Sequence, residues 1–232
     1  MANFVSTHQS AKSSAVATLL KSVYMQMAAA LSVTGIVAYF LSQSPAFWQT
    51  LATNPSIIWI AIIAQFGLVI WLSARLHAMS MTTATLLFIF YSVLMGVSMS
   101  SIFMVYTMGS IASTFFITAG TFLAMSIIGF VTRLDLSRFG SILLMALIGL
   151  IIATVVNIFL HSETMYWIIS FAGVLIFVGL TAYDTQKIKE MVANYGVADD
   201  MGHKLALFGA LTLYLDFVNL FLHLLRILGN RD

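Results

Sequence analysis

Two carboxylates stand where carboxylates are expensive. Asp216 lies in the middle of GALTLYLDFVNLFLHLLRILG, an almost wholly apolar run, and Asp184 lies in GLTAYDTQKIK, where an earlier run gives way to charge. An ionisable group at the centre of such a run costs about 3 kcal/mol to insert in lipid, so each is a functional candidate by default. A side chain that only packed could be asparagine at a lower desolvation cost, which weighs most for Asp216. Asp184 sits nearer the water boundary, where acids are ordinary. If the two carboxyls meet, both cannot ionise easily, one keeps its proton near neutral pH, and the pair becomes a pH-sensitive element.

Steps of three and four residues from Asp216 pass through Gly209, Thr212, Asn219, His223, Arg226 and Asn230, so the spacing predicts one polar stripe on a helix. Such a stripe must face protein or water, which places the last helix inside a bundle. Thr212 and Asn219 could equally serve as hydrogen-bonding glue between helices. His223 and Arg226, toward the end of the run, read as residues whose heads reach for the interface. Gln65, Asn157 and the cluster Ser92, Gly96, Ser98, Ser100 and Ser101 read as packing residues. Arg75 is the basic residue best placed to neutralise an aspartate pair, although a topology marker would look the same.

The elements that must position these groups are set by composition. Of 232 residues, 61% are hydrophobic and 8% charged, against about a quarter charged in soluble domains. The solvent is therefore lipid, and at roughly 20 residues per crossing there is room for six or seven helices with short loops. Apolar runs cover 23–41, 57–72, 83–106, 111–131, 142–160, 166–183 and 205–228. They are continuous and do not alternate, which excludes a barrel; helices satisfy their own backbone in lipid. The expected fold is all-α and polytopic, with seven transmembrane helices in one bundle domain at 23–232 after a polar tail at 1–22. Both prolines, Pro45 and Pro55, fall in the first loop.

Eight of the ten basic residues lie in the tail and in the second, fourth and sixth loops, and the intervening loops have none. Basic loops stay cytoplasmic, so the N-terminus is expected in the cytoplasm. Seven full crossings leave Arg226 and Arg231 on the outer face, whereas a re-entrant last segment returns them. The connection 184–204 is the only long one and the only place for a regulatory loop. A net charge of +2 makes no basic patch for nucleic acid, and the absence of cysteine removes disulfides, thiolate chemistry and cysteine metal sites. No signal peptide is apparent in the first twenty residues.

Depth opposes the pairing. Counted from residue 205 at 1.5 Å per residue, Asp216 lies roughly 16 Å inside the membrane while Asp184 lies near its surface. The two can meet if the sixth helix continues past Asp184, or if 205–211 lies along the surface.

The strings GLTAYDTQKIK and GALTLYLDFVNLFLHLLRILG, with VNIFL at 156–160 and the seven-run hydropathy, resemble the Bax inhibitor-1 family, also called the transmembrane Bax inhibitor motif or Lifeguard family. The acid-containing sixth loop and compact tail are most similar to its bacterial inner-membrane branch. The resemblance implies six helices around a central C-terminal helix. It implies a pH-sensitive calcium leak in which two aspartates hydrogen-bond near the cytoplasmic side and an arginine latches the closed state. Asp184 and Asp216 match those aspartates, and Arg75 matches the latch loosely. Some relatives carry an acid in the second helix where this chain has Gln65, which removes a third carboxylate from any ion site.

The leading reading is thus a proton-gated cation leak, with Asp184 and Asp216 as transient calcium ligands, polar groups such as Thr212, Asn219, His223, Asn157 and Gln65 as pore or stripe candidates, and no cofactor. Carboxylates, carbonyls and water suit a hard cation. The alternative is a regulator that binds a membrane-anchored AAA protease, as implied for some bacterial relatives. Aspartates on successive helices also resemble presenilin-like proteases, whose paired acids activate water. The second motif here is LYLD, with neither GxGD nor the Pro-Ala-Leu signature, and HExxH and GxSxG are absent. The chain is expected not to be an enzyme.

Overall fold

The structure is a computed structural model that describes residues 2–230, with side chains from residue 12 onward except at position 77. Nine α-helices follow one another among the described residues: α1 (Ala2–Ser42), α2 (Pro45–Thr53), α3 (Ser56–Arg75), α4 (Met81–Met99), α5 (Ile102–Val105), α6 (Met108–Val131), α7 (Ser137–Leu160), α8 (Glu163–Tyr195) and α9 (Asp200–Leu228). A single 3-10 turn, Leu76–Ala78, separates α3 from α4. No β-strand occurs among the described residues. Seven stretches are long and apolar enough to cross a membrane: Lys12–Ser42, Ser56–Arg75, Met81–Val105, Met108–Val131, Ser137–Leu160, Glu163–Tyr195 and Asp200–Leu228. The all-α, seven-span architecture read from hydropathy is what the chain forms.

Local chemistry sets the helix ends. Ser44 accepts a hydrogen bond from the Phe47 amide with Pro45 at the first helical position of α2, and Ser80 and Thr107 cap α4 and α6 in the same way. Asp199 accepts from the Gly202 amide at 2.8 Å and so caps α9. Gly196 closes α8 at φ +67°, a left-handed conformation that glycine adopts without penalty.

The segment 1–22 is helical from Ala2, as the start of an unbroken α1, and Leu19 is fully buried. One expectation changes. The connection 184–204 is not a regulatory loop, because α8 continues to Tyr195 and α9 begins at Asp200, which leaves only residues 196–199 outside helix. Ile188 and Val192, four residues apart, keep an apolar side on this charged stretch, and both are buried. The last helix is continuous. Twenty-nine unbroken residues measure about 43 Å, more than one hydrocarbon thickness, with no turn among them.

The chain forms two compact units. The first comprises Met1–Val105 and Glu190–Tyr214. Here α1 and α3 both pack on α4. Gln65 on α3 is buried and donates to the Leu94 carbonyl at 2.9 Å and to Ser98 Oγ at 2.6 Å on α4. The Thr34 hydroxyl donates to the Ser92 carbonyl at 2.9 Å, so the Tyr214 hydroxyl, 2.7 Å away, must donate to Thr34. Phe88 and Tyr91 meet the Tyr214 ring edge-on.

The second unit comprises Tyr106–Lys189 and Leu215–Asp232. Its core gathers Leu150 of α7, Ile169, Ile176, Phe177 and Leu180 of α8, and Leu220 of α9. Phe115 and Phe122 of α6 meet Phe217 of α9 edge-on with ring centroids 5.5 Å apart. The end of α9 is tied to the start of α6: the Thr107 amide donates to the Asn230 carbonyl and the Asn230 amide to Ser110 Oγ. Arg231 lies outside the described residues.

Candidate functional site: an aspartate pair between two helices

Asp184 and Asp216 both belong to the second unit, on α8 and α9, and α8 is held just there from several directions. One turn or less around Asp184, Ala182 backs onto Gly129 of α6 so closely that a Cβ at Gly129 would fall on the Ala182 carbonyl. The Thr185 hydroxyl reaches Ser126 Oγ at 3.4 Å. Gln186 donates to the Leu134 carbonyl at 2.8 Å and accepts from the Leu136 amide at 2.9 Å, which pins the α6–α7 connection to α8. Lys189 donates to the Phe130 carbonyl. These bonds fix the rotation of α8 and therefore the direction in which Asp184 points.

That direction is toward α9. The carboxyl groups of Asp184 and Asp216 hydrogen-bond to each other. Asp216 is buried, and its Oδ2 has no hydrogen-bond partner among amides, hydroxyls or ammonium groups. Asp184 is half-buried. The depth difficulty is resolved by the first of the two routes: α8 carries its helix eleven residues beyond Asp184, to Tyr195. Among the described residues no three histidine, cysteine, aspartate or glutamate side chains converge, so the pair stands without a third acid.

The remaining candidates are placed as follows. Thr212 and Asn219 are half-buried and hydrogen-bond the carbonyls of Phe208 and Leu215 in their own helix, so neither glues α9 to a neighbour. His223 is not at an interface. It is buried, stacks on Phe177 with centroids 5.7 Å apart and lies against Gly173, and its Nδ1 has no hydrogen-bond partner. Arg226 is half-buried with its guanidinium 5.7 Å over the Tyr166 ring. Gln65 makes the α3–α4 bonds given above, in the first unit. Asn157 ends α7, where its Oδ1 accepts from the Ser162 amide. Arg75 is the last residue of α3, exposed and in no ion pair with a described residue.

α9 is the most buried of the seven spans: 67% of its apolar stretch is buried, against 44% or less in each of the others. Within its polar stripe, Asp216 and His223 are buried while Thr212, Asn219 and Arg226 are half-buried. The residues that sequence reasoning missed are those that hold α8, Gly129, Ser126, Thr185 and Gln186. They are small or neutral residues scattered over two helices, with no spacing that links them.

Comparison with known proteins gives a consistent result. Residues 16–232 match the family described as Inhibitor of apoptosis-promoting Bax1. The chain is 50% identical over 215 residues to the inner membrane protein YbhL of Escherichia coli (strain K12), with 92% of each chain covered. It is 46% identical over 212 residues to an uncharacterized protein of Borreliella burgdorferi, with 91% of each covered. It is 44% identical over 210 residues to the uncharacterized protein RP147 of Rickettsia prowazekii, with 90% of this chain and 88% of the relative covered.

Proposed function

The chain belongs to the Bax inhibitor-1 family, and from that premise we propose that it is a pH-sensitive calcium leak channel of a bacterial inner membrane, gated by protonation of the Asp184–Asp216 pair. The observation that carries this reading is the hydrogen bond between the two carboxyl groups on α8 and α9. Two carboxyls can bond to each other only while one of them holds a proton. Loss of that proton replaces an attractive contact with two like charges in a poorly solvated place, and α8 and α9 must then part or admit a cation.

Calcium is the cargo in this reading. A hard divalent cation takes carboxylates, carbonyls and water as ligands, and two carboxylates are enough for a passing ion but too few for a tight cage. A slow leak follows, in preference to a fast and selective pore. The proposal rests on the two aspartates; Arg75 carries no part of it. Inner-membrane residence is supported by the relative YbhL, and a cytoplasmic N-terminus by the distribution of basic loops.

Calcium uptake into liposomes containing the purified chain tests this reading. Uptake above that of protein-free liposomes is the expected result. Uptake equal to theirs at every pH would return the aspartates to a structural role and favour a regulator that acts by binding a membrane protein.

A further inference from the structure

A second polar site lies at the start of α8, away in sequence from Asp184 and within the same compact unit. An open cavity of about 580 Å³ lies between the end of α7, the start of α8 and the end of α9, with Asn157, His161, Glu163, Tyr166, Trp167 and Arg226 in its walls. That size lies within the range of small-molecule sites, about 300–1,000 Å³. Its lining carries one cation and one anion. Arg226, in the last turn of α9, has its guanidinium held over the Tyr166 ring, and Glu163 opens α8 and is exposed. The two do not pair: the one ion pair among the described residues joins Lys204 to Asp200. A cation and an anion that line one cavity without pairing complement a ligand that carries both charges.

The cavity also leads onto an apolar track. Trp167 in its wall stacks on Phe171 with centroids 6.0 Å apart. Trp167, Phe171 and Leu175 follow at intervals of four along α8, exposed by 46%, 54% and 72%, so one face of the helix descends from the cavity as continuous apolar surface. Aromatic side chains at the end of a membrane span mark the headgroup level. A charged cavity continuous with a bare apolar face fits a molecule with a polar head and a chain.

We propose that this cavity binds the headgroup of a zwitterionic phospholipid with a primary ammonium, phosphatidylethanolamine by chemistry, with the phosphate on Arg226, the ammonium on Glu163 and an acyl chain along Trp167, Phe171 and Leu175. Arginine is suited to the phosphate because its planar fork binds oxygens in pairs while its face stays on the aromatic ring. The site is independent of the calcium reading.

Native mass spectrometry of the full chain in detergent, with phosphatidylethanolamine and phosphatidylglycerol added at equal concentration, tests it. The expected result is about a tenfold preference for phosphatidylethanolamine, the worth of one charge-assisted hydrogen bond at the membrane surface. Glu163→Gln should bring that lipid down to the level of phosphatidylglycerol and leave the latter unchanged. Arg226→Gln should weaken both lipids, and Arg226→Lys, which keeps the charge, should weaken them less. Trp167→Ala should weaken both without changing their ratio. Excess soluble phosphoethanolamine should fail to displace the lipid. Equal binding of the two lipids by the wild type, a preference that survives Glu163→Gln, or displacement by phosphoethanolamine alone would overturn the proposal.

Discussion

The carboxyl of Asp184 on α8 hydrogen-bonds that of Asp216 on α9, within a single compact unit of the chain. Two acids of like sign stay in contact only through a shared proton, so this contact depends on protonation. Its sign follows directly. The contact is held while the proton is present and is weakened as pH rises and the proton leaves. Amide hydrogen exchange around residues 180–188 and 212–220 should therefore speed up with rising pH beyond the intrinsic rate. In the Asp184→Asn/Asp216→Asn double variant, where amides replace both acids, that excess should vanish.

Much of this pair was legible in the sequence. An aspartate in the middle of LYLDFVNLF stands out because nothing else in that string is charged, and Asp184 is the first acid after a long apolar run. Their contact was not legible, because the charged stretch QKIKEMVANY reads as a loop by hydropathy although it is helix by structure. Burial of Ile188 and Val192 on one side of that stretch accompanies the continuation of α8 past Asp184 to Tyr195. His223 was misread for a related reason. Distance along a run predicts an interface, whereas stacking on Phe177 against Gly173 requires knowing which helices are neighbours.

Gly129 sets the spacing of α6 and α8 immediately before Asp184. Alanine there would place its methyl on the Ala182 carbonyl, which is backbone and cannot turn aside. Gly129→Ala should lower stability by about 1–3 kcal/mol, as overpacking does, and should also disturb the aspartate pair. Thermal unfolding in detergent measures the first effect, and the hydrogen-exchange pH profile the second.

Gly173 and His223 make a coupled pair. A methyl at Gly173 would meet the imidazole ring, so Gly173→Ala should destabilise the chain. Adding His223→Ala should recover part of the loss by removing the ring. A double-mutant cycle on melting temperature in detergent should give a coupling of about 0.5–3 kcal/mol, and additivity of the two substitutions would contradict the close approach.

In the first unit, Tyr214→Phe removes the donor that satisfies the Thr34 hydroxyl oxygen. Thr34 keeps its own bond to the Ser92 carbonyl, so the loss should be modest, about 1 kcal/mol in unfolding experiments.

At the start of α9, hydrogen bonds from the Gly202 amide and the Tyr195 hydroxyl hold the Asp199 carboxyl below the usual carboxylate range. A carboxyl depressed in the folded state stabilises above its unfolded value and loses that contribution as pH falls through its folded one. The first turn of α9 should therefore fray in acid, and Asp199→Ala should fray it at all pH values. Amide exchange of residues 200–203 reads both effects.

The most direct test of the central claim is the pH profile of calcium flux into liposomes for the wild type, Asp184→Asn, Asp216→Asn and the double variant. The account predicts a pH-dependent flux in the wild type, a shifted profile in each single variant, and a flat profile in the double variant. Four superimposable profiles would contradict the assignment of the aspartate pair as the proton sensor.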